Sequence, residues 1–183
     1  AGLGLTLALY VNAAFTSWLV FYFALTFAYS LRLKRYALID CVTLAALYTL
    51  RIIAGAHAVA IPLSFWLLAF SGFLFLSLAF LKRYAELQVQ VAHGNTHAHG
   101  RGYVATDAPL VQTLGIAAGY GSALVLALYV HGETVVALYH TPELIWCAVP
   151  LIILWISWVW LKAHRGQMDE DPLVFAITDK TSL

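Results

Sequence analysis

Charge is what this sequence has least of. Only 10% of its 183 residues are Asp, Glu, Lys or Arg, against about 25% in a soluble globular domain. A soluble chain of this size exposes a broad surface that charged side chains must keep in water, and a composition that is 62% hydrophobic cannot supply it. The expected solvent is therefore a lipid bilayer. Cysteine is almost as scarce: Cys41 and Cys147 lie in separate apolar runs without CxxC or Cys/His spacing, which argues against a disulfide framework or a zinc site and leaves two small apolar residues. The net charge is +1 and no basic run is long, so nucleic acid is excluded as a partner. Met168 is the only methionine, and the first apolar run is too short to cross about 30 Å of hydrocarbon. We expect an N-terminally truncated chain whose residues 3–12 form the second half of a helix. The run also lacks the basic flank and cleavage pattern of a signal peptide.

What is present is a succession of long apolar runs. Spans are expected at about 14–31, 38–60, 64–81, 109–130 and 143–161, each near the roughly 20 residues a crossing needs. Open strands cannot satisfy their backbone groups in lipid and no barrel alternation is visible, so the expected fold is an all-α, polytopic transmembrane helical bundle covering 1–163. A polar loop, 88–107, interrupts it, and a cytoplasmic or interfacial tail, 164–183, follows. In that tail Asp171 and Pro172 suit the start of a short interfacial helix, and the acids from Asp169 to Asp171 are more simply solvated than metal-binding.

The connections alternate in charge. Arg32, Lys34 and Arg35 fill the first, the next has no Lys or Arg, Lys82, Arg83 and Arg101 return in the third, the fourth has none, and Lys162 and Arg165 follow the last span. The basic connections are thereby assigned to the cytoplasmic side. Trp66, Trp146, Trp158 and Trp160 lie near span ends, where amphipathic rings anchor helices. Gly115 and Gly119 form a GxxxG, expected to serve close packing inside the bundle.

A few polar residues could carry chemistry. Asp40 and Arg51 fall on nearly one face of their span, in a stripe with Leu44, Tyr48 and Gly55. A charge in hydrocarbon is costly, so Arg51 is either functional or a packing or snorkelling cation. Lys82, Arg83, Tyr84 and Glu86 close the third span: the cations suit phosphate and Glu86 suits a divalent metal such as Mg²⁺, while a plain membrane anchor with a helix-end ion pair is the simpler alternative. Tyr29 and Lys34 sit at a similar edge, which by itself is a stop-transfer signal. Arg101 and Tyr103 end the polar loop, from where a loop could cover a bound anion. His93, His97 and His99 have no acidic or cysteine partner nearby and are expected in a solvated loop.

Taken together, YSLRLKR (29–35), LYTLRIIAGA (47–56), IPLSFWLLAF (61–70), LKRYAEL (81–87), GRGY (100–103) and HRGQMDEDPLVFA (164–176) resemble the UbiA prenyltransferase superfamily. Within it the pattern is similar to the decaprenyl-phosphate phosphoribosyltransferase branch, and to bacterial chains that join such a membrane domain to an upstream HAD-like phosphatase domain. The resemblance implies a UbiA-like bundle in the bacterial inner membrane, with an active site on the cytoplasmic face. The partners it implies are membrane lipid, a polyprenyl lipid substrate and a phosphorylated small molecule, with Mg²⁺ as cofactor. It implies catalytic roles for Lys82, Arg83, Glu86, Asp40 and Arg51, phosphate or substrate binding by Lys34, Arg101, Tyr103 and Tyr29, and a metal contact from Glu86. The family's early Asn-Asp motif, its main source of metal ligands, is absent from this chain, so an incomplete site is expected. A UbiA-type enzyme with an aromatic acceptor would carry acids where Lys82 and Arg83 stand. A transporter subunit would show inverted repeats or broken helices, and neither is visible.

Overall fold

The computed structural model describes residues 8, 10–92, 102–130 and 143–168. Its helices are α1 (Ala13–Leu31), α2 (Ile39–Ala58), α3 (Phe65–Ala92), α4 (Ala108–Val130), the single turn α5 (Glu143–Trp146) and α6 (Ala148–His164). The first four are long and apolar enough to cross a membrane, and α6 is a shorter apolar helix. The chain is an all-α polytopic membrane bundle.

Local chemistry starts the helices where they start. Asn12 caps α1, its Oδ1 accepting the Phe15 N–H at 2.6 Å, and its Nδ2 donates to the His57 carbonyl at 2.8 Å, tying the start of α1 to the end of α2. A 3₁₀ turn, Ala105–Asp107, leads into α4, with Asp107 Oδ2 accepting the Val104 N–H at 2.9 Å. Pro150 falls in the first turn of α6, where the missing N–H would have no helical partner.

In packing order α1 lies on α2, α2 on α3, α3 on α4, and α6 on α4 and α3. No residue of α1 is buried, and Val20, Phe21, Phe23 and Phe27 are exposed, a surface that costs nothing against lipid tails. The core is displaced toward one end of the bundle: Leu81, Tyr84, Leu87, Tyr103, Val111, Val159, Trp160 and Met168 are all buried there. At this end Leu31, Ile39, Ala92, Ala108 and His164 terminate their helices, and Arg32, Lys34, Arg35, Lys82, Arg83, Lys162 and Arg165 gather. We call it the basic end.

Two features differ from sequence expectation. α3 does not stop near Leu81 but runs on to Ala92, so Lys82 to Glu86 sit inside a helix and Gln88 to Ala92 are helical rather than loop. Hydropathy drops at Lys82, yet Phe80, Arg83, Tyr84 and Leu87 continue one buried stripe. Trp160, expected as an interfacial anchor, is instead buried; its Nε1–H donates to Ser77 Oγ at 3.2 Å and its ring covers Gly115. Trp158 does stand under a cation, with Lys162 Nζ 5.2 Å from its ring centre.

The GxxxG serves packing inside the bundle. A Cβ on Gly115 would run into the Trp160 ring and come 2.8 Å from Phe80 Cβ, and one on Gly119 would come 2.8 Å from Ile156 Cγ2. Gly115→Val should therefore separate α4 from α6 and lower stability by about 1–3 kcal/mol, as overpacking does. Thermal unfolding in detergent measures this, and an unchanged midpoint would contradict the close approach.

Candidate functional site at the basic end

The turn between α1 and α2 builds the first wall. Leu38 has φ 67° and ψ −42°, and the Ile39 N–H reaches back to the Ala37 carbonyl at 2.8 Å. This is a γ-turn of the rarer, strained hand, adopted by a branched residue with no glycine to relieve it. It delivers α2 at an angle that buries Asp40 in the first helical turn. Oδ1 of Asp40 accepts the Cys41 N–H at 2.8 Å, satisfying one of the amides a helix start leaves open.

Tyr103 holds that turn from the other side. Its hydroxyl donates to Asp40 Oδ1 at 2.7 Å and accepts the Leu38 N–H at 2.8 Å, and Cys41 Sγ lies 3.5 Å away. Burial pushes the Tyr103 phenol well above its ordinary pKa, and its contacts with Cys41 and Asp40 push the same way. It stays a protonated donor. Gly102 lets the strand-like segment come this close: a Cβ there would sit 2.7 Å from the Arg35 carbonyl oxygen and 3.2 Å from the Ala37 nitrogen, both backbone atoms. Gly102→Ala should push Tyr103 away from Asp40 and lower the unfolding midpoint. Amide exchange at Leu38 checks it: acceleration is expected, and an unaltered rate would contradict the role.

From α3, Arg83 closes the cluster. Its Nε lies 2.7 Å from Asp40 Oδ2, and its Nη1 is bonded to Glu86 one turn on. Arg83 is 2% exposed and Asp40 fully enclosed, whereas the Glu86 side chain is 38% exposed. The row Tyr103–Asp40–Arg83–Glu86 therefore runs from the interior to water. Lys82, one turn before Glu86, shares its helix face.

The structure thus brings together Asp40, Arg83, Glu86 and Tyr103, with Lys82 alongside. Tyr29 is half-buried near the end of α1, and Lys34 is exposed in the 3₁₀ turn that follows it. Arg101, the histidines 93, 97 and 99, and the acids 169–171 lie outside the described residues. Arg51 stands apart, seven residues before the far end of α2. Its Nε and Nη2 donate to the Tyr22 hydroxyl at 3.1 and 2.7 Å, and its guanidinium lies over the Tyr22 and Tyr48 rings at 5.4 and 5.3 Å. The stripe from Asp40 to Arg51 is real as helix geometry, but the two charges serve different neighbours. Tyr22 was not singled out by sequence; an aromatic hydroxyl on the preceding span is the signal that could have pointed to it.

Among the described residues no three His, Cys, Asp or Glu side chains gather as a metal site. Asp40 is enclosed against Arg83 and Tyr103, so within this cluster Glu86 is the carboxylate that faces water. That carboxylate is the ligand this cluster could offer a divalent cation beside a substrate's phosphates.

No family model matches the chain. It is 38% identical over 180 residues, 98% of its length, to the uncharacterized protein y4nM of Sinorhizobium fredii, of which it covers 35%. It is 38% identical over 163 residues, 88% of its length, to the nodulation protein NoeC of Azorhizobium caulinodans, of which it covers 53%. Over 71 residues, 39% of its length, it is 39% identical to decaprenyl-phosphate phosphoribosyltransferase of Mycobacterium tuberculosis, of which it covers 24%. The chain spans between about a third and about half of the two relatives it matches along most of its length.

Proposed function

We propose that this chain is the membrane part of a UbiA-type transferase that works on a polyprenyl phosphate lipid at its basic end, with a diphosphate donor such as phosphoribosyl diphosphate. The observation that carries the reading is the charged row from Asp40 through Arg83 to Glu86 at the basic end of the bundle. Buried charges at such a depth are expensive and mark function by default. The partial likeness to decaprenyl-phosphate phosphoribosyltransferases supports the substrate class. In this proposal the basic end is cytoplasmic and the membrane is the bacterial inner membrane.

In the proposed step a phosphate oxygen of the polyprenyl phosphate attacks the anomeric carbon of the donor. The new C–O bond forms as the bond to the diphosphate breaks, and pyrophosphate leaves with the electron pair. The residues divide into two kinds. Asp40, Arg83 and Tyr103 are positioning residues: all three are buried, so they act by fixing Glu86. Glu86 and Lys82 reach the substrate, Glu86 accepting hydrogen bonds from the sugar hydroxyls and Lys82 countering charge on the departing diphosphate. Lys34 and Arg101 add positive charge around the same substrate, and Tyr29 flanks the lipid.

The test uses full-length protein in membranes, given polyprenyl phosphate with labelled phosphoribosyl diphosphate, or polyprenyl diphosphate with a labelled aromatic acid, each with Mg²⁺ supplied. Lipid-soluble label in the first mixture alone is expected. Label only in the second would replace the phosphoribosyl reading with aromatic prenylation, and label in neither would sink the transferase.

A further inference from the structure

A second polar row lies on the other side of Tyr84. Gln88 Nε2 donates to the Tyr84 hydroxyl at 2.6 Å, and that hydroxyl lies 3.0 Å from His164 Nδ1. Gln112 Nε2 approaches the same ring nitrogen at 3.4 Å. Tyr84, Gln88 and Gln112 thus meet around one edge of the His164 ring. His164 is exposed, with its Nδ1 edge turned toward that network.

His164 and Gln112 form the mouth of a groove of about 310 Å³ between α4 and α6, lined further by Ile116, Tyr120, Trp160 and Leu161. Gln112 to Tyr120 spans about 12 Å along α4 at helical rise. At its other end lies the Tyr120–Ser157 hydroxyl pair at 2.9 Å. The groove is polar at the basic end and apolar along the span, and its volume is at the low end for a ligand pocket, enough for part of one chain. Neither α4 nor α6 contains an Asp or Glu, while Lys162 and Arg165 flank His164. The mouth suits an anion.

We propose that this groove is a binding site for an anionic membrane phospholipid, one acyl chain lying over Ile116, Trp160 and Leu161 and the phosphate seated beside His164 and Arg165. The site is separate from Glu86 and Lys82 and does not rest on the transferase reading. The lipid bridges α4 and α6 where they meet the interface.

Native mass spectrometry of the full-length protein, loaded with phosphatidylglycerol or phosphatidylcholine of matched chains, tests it. One phosphatidylglycerol should be retained, with about tenfold preference over phosphatidylcholine, because Lys162 and Arg165 favour a headgroup that lacks the positive charge of choline. Lys162→Gln with Arg165→Gln should abolish the preference, and Ile116→Trp, which fills the groove and leaves the mouth intact, should abolish retention of both lipids. Should the double variant fail to fold, the groove-filling variant decides. Equal retention of the two lipids, no retention, or retention unaffected by Ile116→Trp would overturn the proposal. Displacement of phosphatidylglycerol by equimolar polyprenyl phosphate would also overturn it, by making the groove part of the substrate path.

Discussion

Asp40→Ala should lower the stability of the protein by about 3–5 kcal/mol, because it leaves Arg83 charged, 2% exposed and without its fully enclosed carboxylate partner. Arg83→Met should cost a similar amount for the mirror reason, stranding Asp40 in a fully enclosed site. The informative variant is the pair, Asp40→Leu with Arg83→Met. Replacing both members of a buried ion pair by apolar groups of similar volume is often neutral or stabilising, so the double variant should recover most of the lost midpoint in detergent. Its transferase activity should remain low, since Arg83 no longer orients Glu86. Stability and function separate at these two residues, and a double variant as unstable as the worse single one would contradict the ion-pair account.

Tyr103 should make the protein sensitive to alkali. Its folded-state pKa is raised, so the folded form prefers the protonated phenol, and the stability this contributes is fully present below the unfolded value of about 10. As pH rises above that value the unfolded chain releases the proton while the folded chain keeps it. The contribution is then lost at about 1.4 kcal/mol per pH unit. Tyr103→Phe removes this slope. It also leaves Asp40 Oδ1 and the Leu38 N–H short of one partner each, a cost of about 1–3 kcal/mol at neutral pH. Urea or thermal unfolding of the two proteins from pH 7 to 11 should give curves that converge above pH 10. Parallel curves would mean that Tyr103 is not held as a buried donor.

The helices were legible because a bilayer demands long apolar runs, and Ala13–Leu31, Ile39–Ala58 and Ala108–Val130 fall within a residue or two of the runs read from hydropathy. The overrun of α3 to Ala92 was not legible that way, since hydropathy reports where lipid ends and not where a helix ends. The candidate site was visible as residue types but not as contacts. Spacing along α2 paired Asp40 with Arg51, whereas the partner of Asp40 is Arg83 on the next helix, and no i, i+n rule encodes a cross-helix ion pair. Tyr103 was read as a loop residue facing an anion; the strained turn at Leu38, which creates its binding niche, leaves no mark in a sequence without glycine there. His164 and Gln112 passed unnoticed for the same reason, being 52 residues apart.

The most direct measurement is the initial rate of sugar-phosphate transfer from labelled phosphoribosyl diphosphate to polyprenyl phosphate, by full-length wild-type protein and by Glu86→Gln. Glu86 is half-exposed and bonded to Arg83, so its amide keeps the size and should leave the unfolding midpoint close to wild type. Loss of hydrogen bonds to a charged acceptor is worth about 1.5–3 kcal/mol, which is a fall of about 10- to 100-fold in rate. That fall, with the fold intact, is the result predicted. A wild-type rate in Glu86→Gln, or no transfer by the wild-type protein, would contradict the assignment of the basic end as the transferase site.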